Sequence, residues 1–219
     1  MNQAPFTAQE IEAIRAALLA WGRDHFQNYP WRSEKDPWLT FATEFLLQRT
    51  KADQVAAVYP AFKKRFPTVR AFVDGGDMAV DWLASRLGLR SRCRFLWEAA
   101  VAIETRGGHP PEDVDELMQM RGVGQYIASA WLSLHRNQRA LIADANVARW
   151  LSRMTGLPYN RDPRGKKWVY QLCEDLTPED AFKAFNYAVL DFTMTVCVPK
   201  QPLCTPCVLQ GLCNFGKKS

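Results

Sequence analysis

Apolar positions recur at helical spacing from the start of the chain. Ile11, Ile14, Leu18 and Trp21 fall on one face, behind Thr7-Ala8-Gln9-Glu10, which has the form of a capping box. Asp36 before Pro37 places a capping side chain ahead of a proline at the first helical position, predicting a helix from about Pro37 to Arg49 with Glu44 and Gln48 one turn apart. Further helices are expected at about Ala52 to Phe66, Met78 to Leu87 with Gly88 as stop, and Arg92 to Thr105 with Gly107-Gly108 as stop. After these come a helix ending near Met120, a glycine hairpin, and helices from about Gln125 to His135 and Ala145 to Thr155. A last helix is predicted to open at Thr177-Pro178 and run toward Val196. Alternating runs joined by paired-strand turns are absent, so the expected fold class is all-α. The Leu87-Gly88-Leu89 turn reads as a helix stop or as a degenerate copy of the later hairpin.

At 219 residues with 47% hydrophobic and 23% charged positions, the chain suits a packed enzyme-like body. The N-terminus has no basic and apolar leader and no stretch is long enough to span a bilayer, so a cytoplasmic protein without membrane partners is expected. The net charge of +5 is modest, but basic residues bunch at Lys63-Lys64-Arg65, at Arg86, Arg90, Arg92 and Arg94, and at Arg161, Arg164, Lys166 and Lys167. Each bunch is either a phosphate footprint or a solvated helix face.

Cys197-x6-Cys204-x2-Cys207-x5-Cys213 packs four sulfur donors into seventeen residues at the end of a helix. Soft donors that close together select an iron–sulfur cluster or zinc. A single Cys-x2-Cys pair, rather than two such knuckles, tilts the choice toward a cluster and leaves zinc open. The prolines around Lys200 make the loop a stiff basic tab suited to meeting phosphate. Cys93 and Cys173 read as buried thiols, and His25, His109 and His135 join no motif.

Arg121-Gly122-Val123-Gly124-Gln125-Tyr126 joins one helix end to the next helix start. Its glycines let backbone N–H groups point outward together at one DNA phosphate. As a plain connector the same turn has no such role. Asp144, eighteen residues past Tyr126, follows an apolar run and reads as a helix cap. Beside a phosphate-gripping hairpin it is also placed to supply an anion next to a sugar, as N-glycosidic cleavage requires.

Taken together, the cysteine spacing, the hairpin and Asp144-Ala145-Asn146-Val147 resemble, in order and separation, the iron–sulfur branch of the helix-hairpin-helix DNA glycosylases, the superfamily of endonuclease III and MutY. Tyr29-Pro30-Trp31-Arg32, Asp36-Pro37-Trp38, the segment Thr43 to Thr50, Tyr126 and Leu190-Asp191-Phe192 look closest to the archaeal thymine mismatch glycosylases of the Mig group. The resemblance implies a six-helix module over 30–136 and a discontinuous helical domain of 1–29 and 137–219. It places the cluster loop at 197–213 and double-stranded DNA with a mismatched or damaged base in the cleft between the domains. It further implies a monomer, a 4Fe-4S cluster on Cys197, Cys204, Cys207 and Cys213, and a monovalent cation at the hairpin.

By the same resemblance Asp144 stabilises the cationic sugar or activates water, Asn146 holds it, Glu44 sits by the extruded base and Tyr126 lines its pocket. Gln48, Arg49, Leu89 and Arg90 are candidates for filling the gap in the duplex, the alternative being ordinary surface turns. Tyr126 stands where endonuclease III carries its lysine, so no Schiff base is expected and the activity implied is monofunctional base release. The chain stops six residues after Cys213, without the domain that reads oxoguanine in MutY enzymes, which favours thymine or uracil opposite guanine. Adenine removal and a non-catalytic DNA-binding module are the competing readings.

Overall fold

The computed structural model describes residues 5–158 and 167–218, and among them it is helical with no strand. The helices are α1 (Ala8–His25), α2 (Pro37–Leu47), α3 (Ala52–Arg65), α4 (Val69–Asp74), α5 (Gly76–Leu87), α6 (Arg90–Thr105), α7 (Val114–Gln119), α8 (Gln125–Ala130), α9 (Ala145–Thr155), α10 (Lys167–Leu176) and α11 (Phe182–Thr195). They form two compact units, Asn28–Arg136 and Met1–Gln27 with Asn137–Ser219. Of the basic run near position 164, Arg161, Arg164 and Lys166 lie outside the described residues.

Unit Asn28–Arg136 is built around α2. Asp36 caps it, accepting from the Leu39 N–H at 2.9 Å, and Pro37 fits the first turn, where its missing N–H costs nothing. Every residue from Trp38 to Leu46 is buried, as befits a helix apolar nearly all round. Trp38, Phe62, Phe66 and Phe72 pack edge-on or tilted beside it, and Phe41 meets Trp131 at right angles. The core is therefore aromatic and rigid.

The second unit pairs α1 with α11. Thr7 and Glu10 complete the capping box, and Ile14, Leu18 and Trp21 enter a core with Trp150, Leu151, Leu172, Phe185 and Phe192. The two helices approach so closely that a Cβ on Gly22 would stand 2.6 Å from the Ala188 Cβ. Only a glycine lets them meet there.

Several boundaries differ from the sequence-based expectation. The last helix begins at Phe182 rather than Thr177, because the Thr177 N–H still bonds the Cys173 carbonyl at 2.9 Å and so finishes α10. Arg139 then takes the Thr177 carbonyl at 2.9 Å, closing that turn. The helix expected to run unbroken from Gln125 to His135 changes at Trp131 into a π turn, Trp131–His135. The Leu87-Gly88-Leu89 turn is a helix stop: the Gly88 N–H bonds the Ala84 carbonyl at 2.8 Å, with φ 71° at Gly88 and 51° at Leu89.

Candidate active site and nucleic-acid interface

The hairpin runs from α7 through Met120–Gly124 into α8. At Gly122 φ is 86° and a Cβ would lie 2.5 Å from the Phe95 Cβ, so the turn is pressed onto α6 and admits no side chain. Gly124 is different. It is extended, with nothing within 4 Å of where a Cβ would be, and no side chain caps the N-terminus of α8. No internal packing explains this glycine. Val123 turns its side chain into the core, while Arg121 is exposed, 3.3 Å from Glu98 and stacked over Phe95. Gln125 is exposed and donates to the Ser129 hydroxyl at 3.2 Å.

In the same unit, the two turns singled out as gap fillers are tied together by a buried arginine. The Arg92 guanidinium donates to the Gln48 carbonyl, to the Thr50 hydroxyl at 2.6 Å and to the Leu87 carbonyl at 3.2 Å. Burial holds its pKa below the usual arginine value. Both turns carry left-handed non-glycine residues, Arg49 at φ 55° and Leu89 at φ 51°, a strained arrangement that surrounding structure must enforce. Leu89 remains 40% exposed. Reading Arg92 as part of a surface phosphate footprint is thereby corrected, since its charge faces backbone carbonyls inside the protein. Its neighbours are also engaged: Arg90 pairs with Asp81 at 2.7 Å and Arg94 with Asp77 at 2.9 Å, while Arg86 stacks 4.0 Å over Trp82.

Glu44 projects from α2 into the interior. One carboxylate oxygen, Oε1, lies 2.8 Å from His135 Nε2, with side-chain exposures of 2% and 4%; the other, Oε2, is buried without a hydrogen-bond partner. His135 belongs to no sequence motif, because its partner is ninety-one positions away and only the fold joins them. Tyr126, half-buried, is the second residue of α8.

Asp144 is the N-cap of α9 and more than a cap. Its Oδ1 accepts the Val147 N–H at 2.7 Å and its Oδ2 accepts from the Asn146 amide at 3.1 Å. Arg149, itself buried, donates to Asn146 Oδ1 at 2.8 Å and to the carbonyls of Thr193 and Cys197, each at 2.9 Å. A continuous chain of hydrogen bonds thus joins the carboxylate to the first cysteine. Burial raises the Asp144 pKa above its ordinary value, against the pull of the Val147 and Asn146 donors and the Arg149 charge.

Cys197, Cys204, Cys207 and Cys213 line one pocket. The Leu209 and Gly216 N–H groups point at Cys207 Sγ and Cys213 Sγ, each at 3.4 Å, and Arg153 reaches Cys197 Sγ at 3.3 Å. Among the described residues no group of three or more His, Cys, Asp or Glu is arranged to hold a single metal ion. Four thiols around one pocket, three of them met by N–H donors, are the donor set that would hold an iron–sulfur cluster. Arg153 also fixes the loop through the carbonyls of Val198 at 2.8 Å and Pro199 at 2.7 Å, next to the exposed Lys200. Cys93 and Cys173 are buried, and burial pushes the Cys173 thiol up to about 12.

An all-helical fold with a glycine hairpin and a carboxylate cap downstream defines a helix-hairpin-helix protein of the glycosylase type. The chain belongs to the HhH-GPD superfamily of base excision DNA repair proteins, whose family model matches residues 42–179. It is 34% identical to a thymine-DNA glycosylase of Aeropyrum pernix, over 94% of this chain and 95% of that one. A thymine/uracil-DNA glycosylase of Methanothermobacter thermautotrophicus is 29% identical over 94% and 93%. A human adenine DNA glycosylase is 31% identical over 95% of this chain, which spans 40% of that protein. Among solved structures, a thermostable thymine-DNA glycosylase superposes with a TM-score of 0.88 at 26% identity, covering 96% of this chain and 98% of that one. Endonuclease III bound to DNA shares the fold, with a TM-score of 0.81 at 21% identity over 97% of this chain and 98% of that one.

Proposed function

We propose that this protein is a monofunctional DNA glycosylase that hydrolyses the N-glycosidic bond of thymine, and of uracil, mispaired with guanine. The observation that carries the reading is the near full-length similarity to thymine-DNA and thymine/uracil-DNA glycosylases. As the C1′–N bond stretches, the sugar gains positive charge and the base negative charge. Asp144 supplies the anion for the first, held in one orientation by Val147 and Asn146. Glu44 and Tyr126 serve the base, and a tyrosine at 126 forms no imine with the sugar, so the product is an abasic site with both strands intact.

The hairpin N–H groups around Gly124 take one phosphate, and Lys200 takes another. Leu89, Arg90, Gln48 and Arg49 hold the duplex open once the nucleotide has left the stack. Cys197, Cys204, Cys207 and Cys213 would hold a 4Fe-4S cluster, and ligation by all four would fix the loop that carries Lys200. A second reading, release of adenine opposite guanine or oxoguanine, draws support from the similarity to adenine glycosylases over 95% of this chain.

The deciding experiment uses labelled duplexes bearing G:T, G:U, A:G and A:oxoguanine, each incubated with the protein and then heated with alkali. Strand breaks confined to G:T and G:U are expected. Cleavage confined to the adenine-containing pairs would transfer the assignment, and no break in any duplex would leave a DNA-binding module.

A further inference from the structure

Buried polar side chains on α2 satisfy themselves, with one exception. Thr40 and Thr43 return their hydroxyls to the Asp36 and Leu39 carbonyls, each at 2.8 Å. Glu44 has no such recourse. His135 engages Oε1 at 2.8 Å, while Oε2 is enclosed and unpartnered. Leaving a buried acceptor unmet costs on the order of 1–3 kcal/mol, more when it is charged, and such exceptions call for a function. A second feature points the same way. His135 is the last residue of the π turn, Trp131–His135, and a π turn re-aims the side chains that follow it and is frequent at functional sites.

We propose that His135 is a positioning residue for Glu44, donating its Nε2–H to Oε1 and thereby fixing the carboxyl plane. Oε2 is then the single oxygen left to exchange a hydrogen bond with the extruded base. The terminal torsion of a glutamate is broad and roughly two-fold, so without this clamp the two oxygens are interchangeable and neither is aimed. The neighbouring Trp131 ring lies 6.1 Å from the imidazole, and its N–H is already given to the Pro111 carbonyl at 2.8 Å. The inference rests on the glycosylase reading and on Glu44 serving the base.

Single-turnover base release, duplex affinity and melting temperature are compared for the wild type, His135→Ala, His135→Gln, Glu44→Gln and the double variant His135→Ala/Glu44→Gln. The expected result for His135→Ala is a 10- to 100-fold slower release with duplex affinity unchanged. His135→Gln, which keeps an N–H donor, recovers most of the rate, and His135→Ala costs nothing further once Glu44 is glutamine. A wild-type rate in His135→Ala, no rescue by His135→Gln, or additive losses in the double variant would overturn the proposal. Nitrogen-15 NMR of the intact wild-type protein provides a readout that depends on neither activity nor the folding of a variant. The His135 proton is expected on Nε2, and a bare Nε2 overturns the clamp. Should the wild type release no base from any duplex, the glycosylase reading itself fails, while the NMR result still decides the pairing.

Discussion

At Asp144 the proposed function asks one carboxylate both to cap a helix and to face a cation, and the two tasks respond differently to substitution. Asparagine is as good a cap as aspartate, so Asp144→Asn is expected to keep the fold and duplex binding while base release falls by at least about 100-fold, read by single-turnover kinetics. Because burial raises the Asp144 pKa, ionised Asp144 costs folding free energy above its unfolded pKa. That cost grows as pH rises from the unfolded value of about 3.9 toward the raised folded value. The asparagine variant should therefore melt no lower than the wild type at neutral pH. The rate has the opposite dependence, since it needs the anion: it declines as pH falls through the raised value, and a midpoint at or below an ordinary aspartate's would contradict the assignment. At Tyr126 the expected outcome of Tyr126→Lys is strand cleavage with a borohydride-trapped adduct on a G:T duplex. Absence of any adduct would show that position 126 does not reach the sugar.

Among the elements, the hairpin offers the sharpest contrast because its two glycines are needed for different reasons. Gly122→Ala forces a Cβ into Phe95 at a positive φ, and a loss of about 2–4 kcal/mol in urea denaturation is expected. Gly124→Ala meets nothing in the protein and should leave stability within about 1 kcal/mol, yet weaken duplex binding roughly tenfold, ~1.4 kcal/mol, by filling the phosphate seat. Equal effects of the two changes on stability would remove the case for that seat. This is also the scale at which the sequence was most readable. Capping residues such as Thr7, Asp36 and Asp144 announce their helices because the cap is a local interaction. Helices α4 and α10 went unread even though Thr68 caps the first, accepting from the Ala71 N–H at 3.2 Å, and Val169, Leu172, Cys173 and Leu176 line the buried face of the second. The Arg92 clamp and the His135 contact were beyond reach, since each depends on a partner distant in sequence.

For the molecule as a whole, the cysteine loop is a stability element of its unit. Cys204→Ser is expected to abolish the brown visible absorbance, lower the iron and sulfide content and reduce the yield of folded protein; a colourless wild type loaded with zinc would end the cluster proposal. The similarity to known glycosylases extends over nearly the whole chain, so these parts act within one inherited body plan. The line of contacts from Asp144 through Asn146 and Arg149 to the Cys197 carbonyl gives that plan a built-in safeguard. On the proposed function, a copy whose cysteine loop has collapsed withdraws the Cys197 carbonyl from Arg149, which loosens Asn146 and through it the Asp144 carboxylate, so base release is expected to weaken together with the loop.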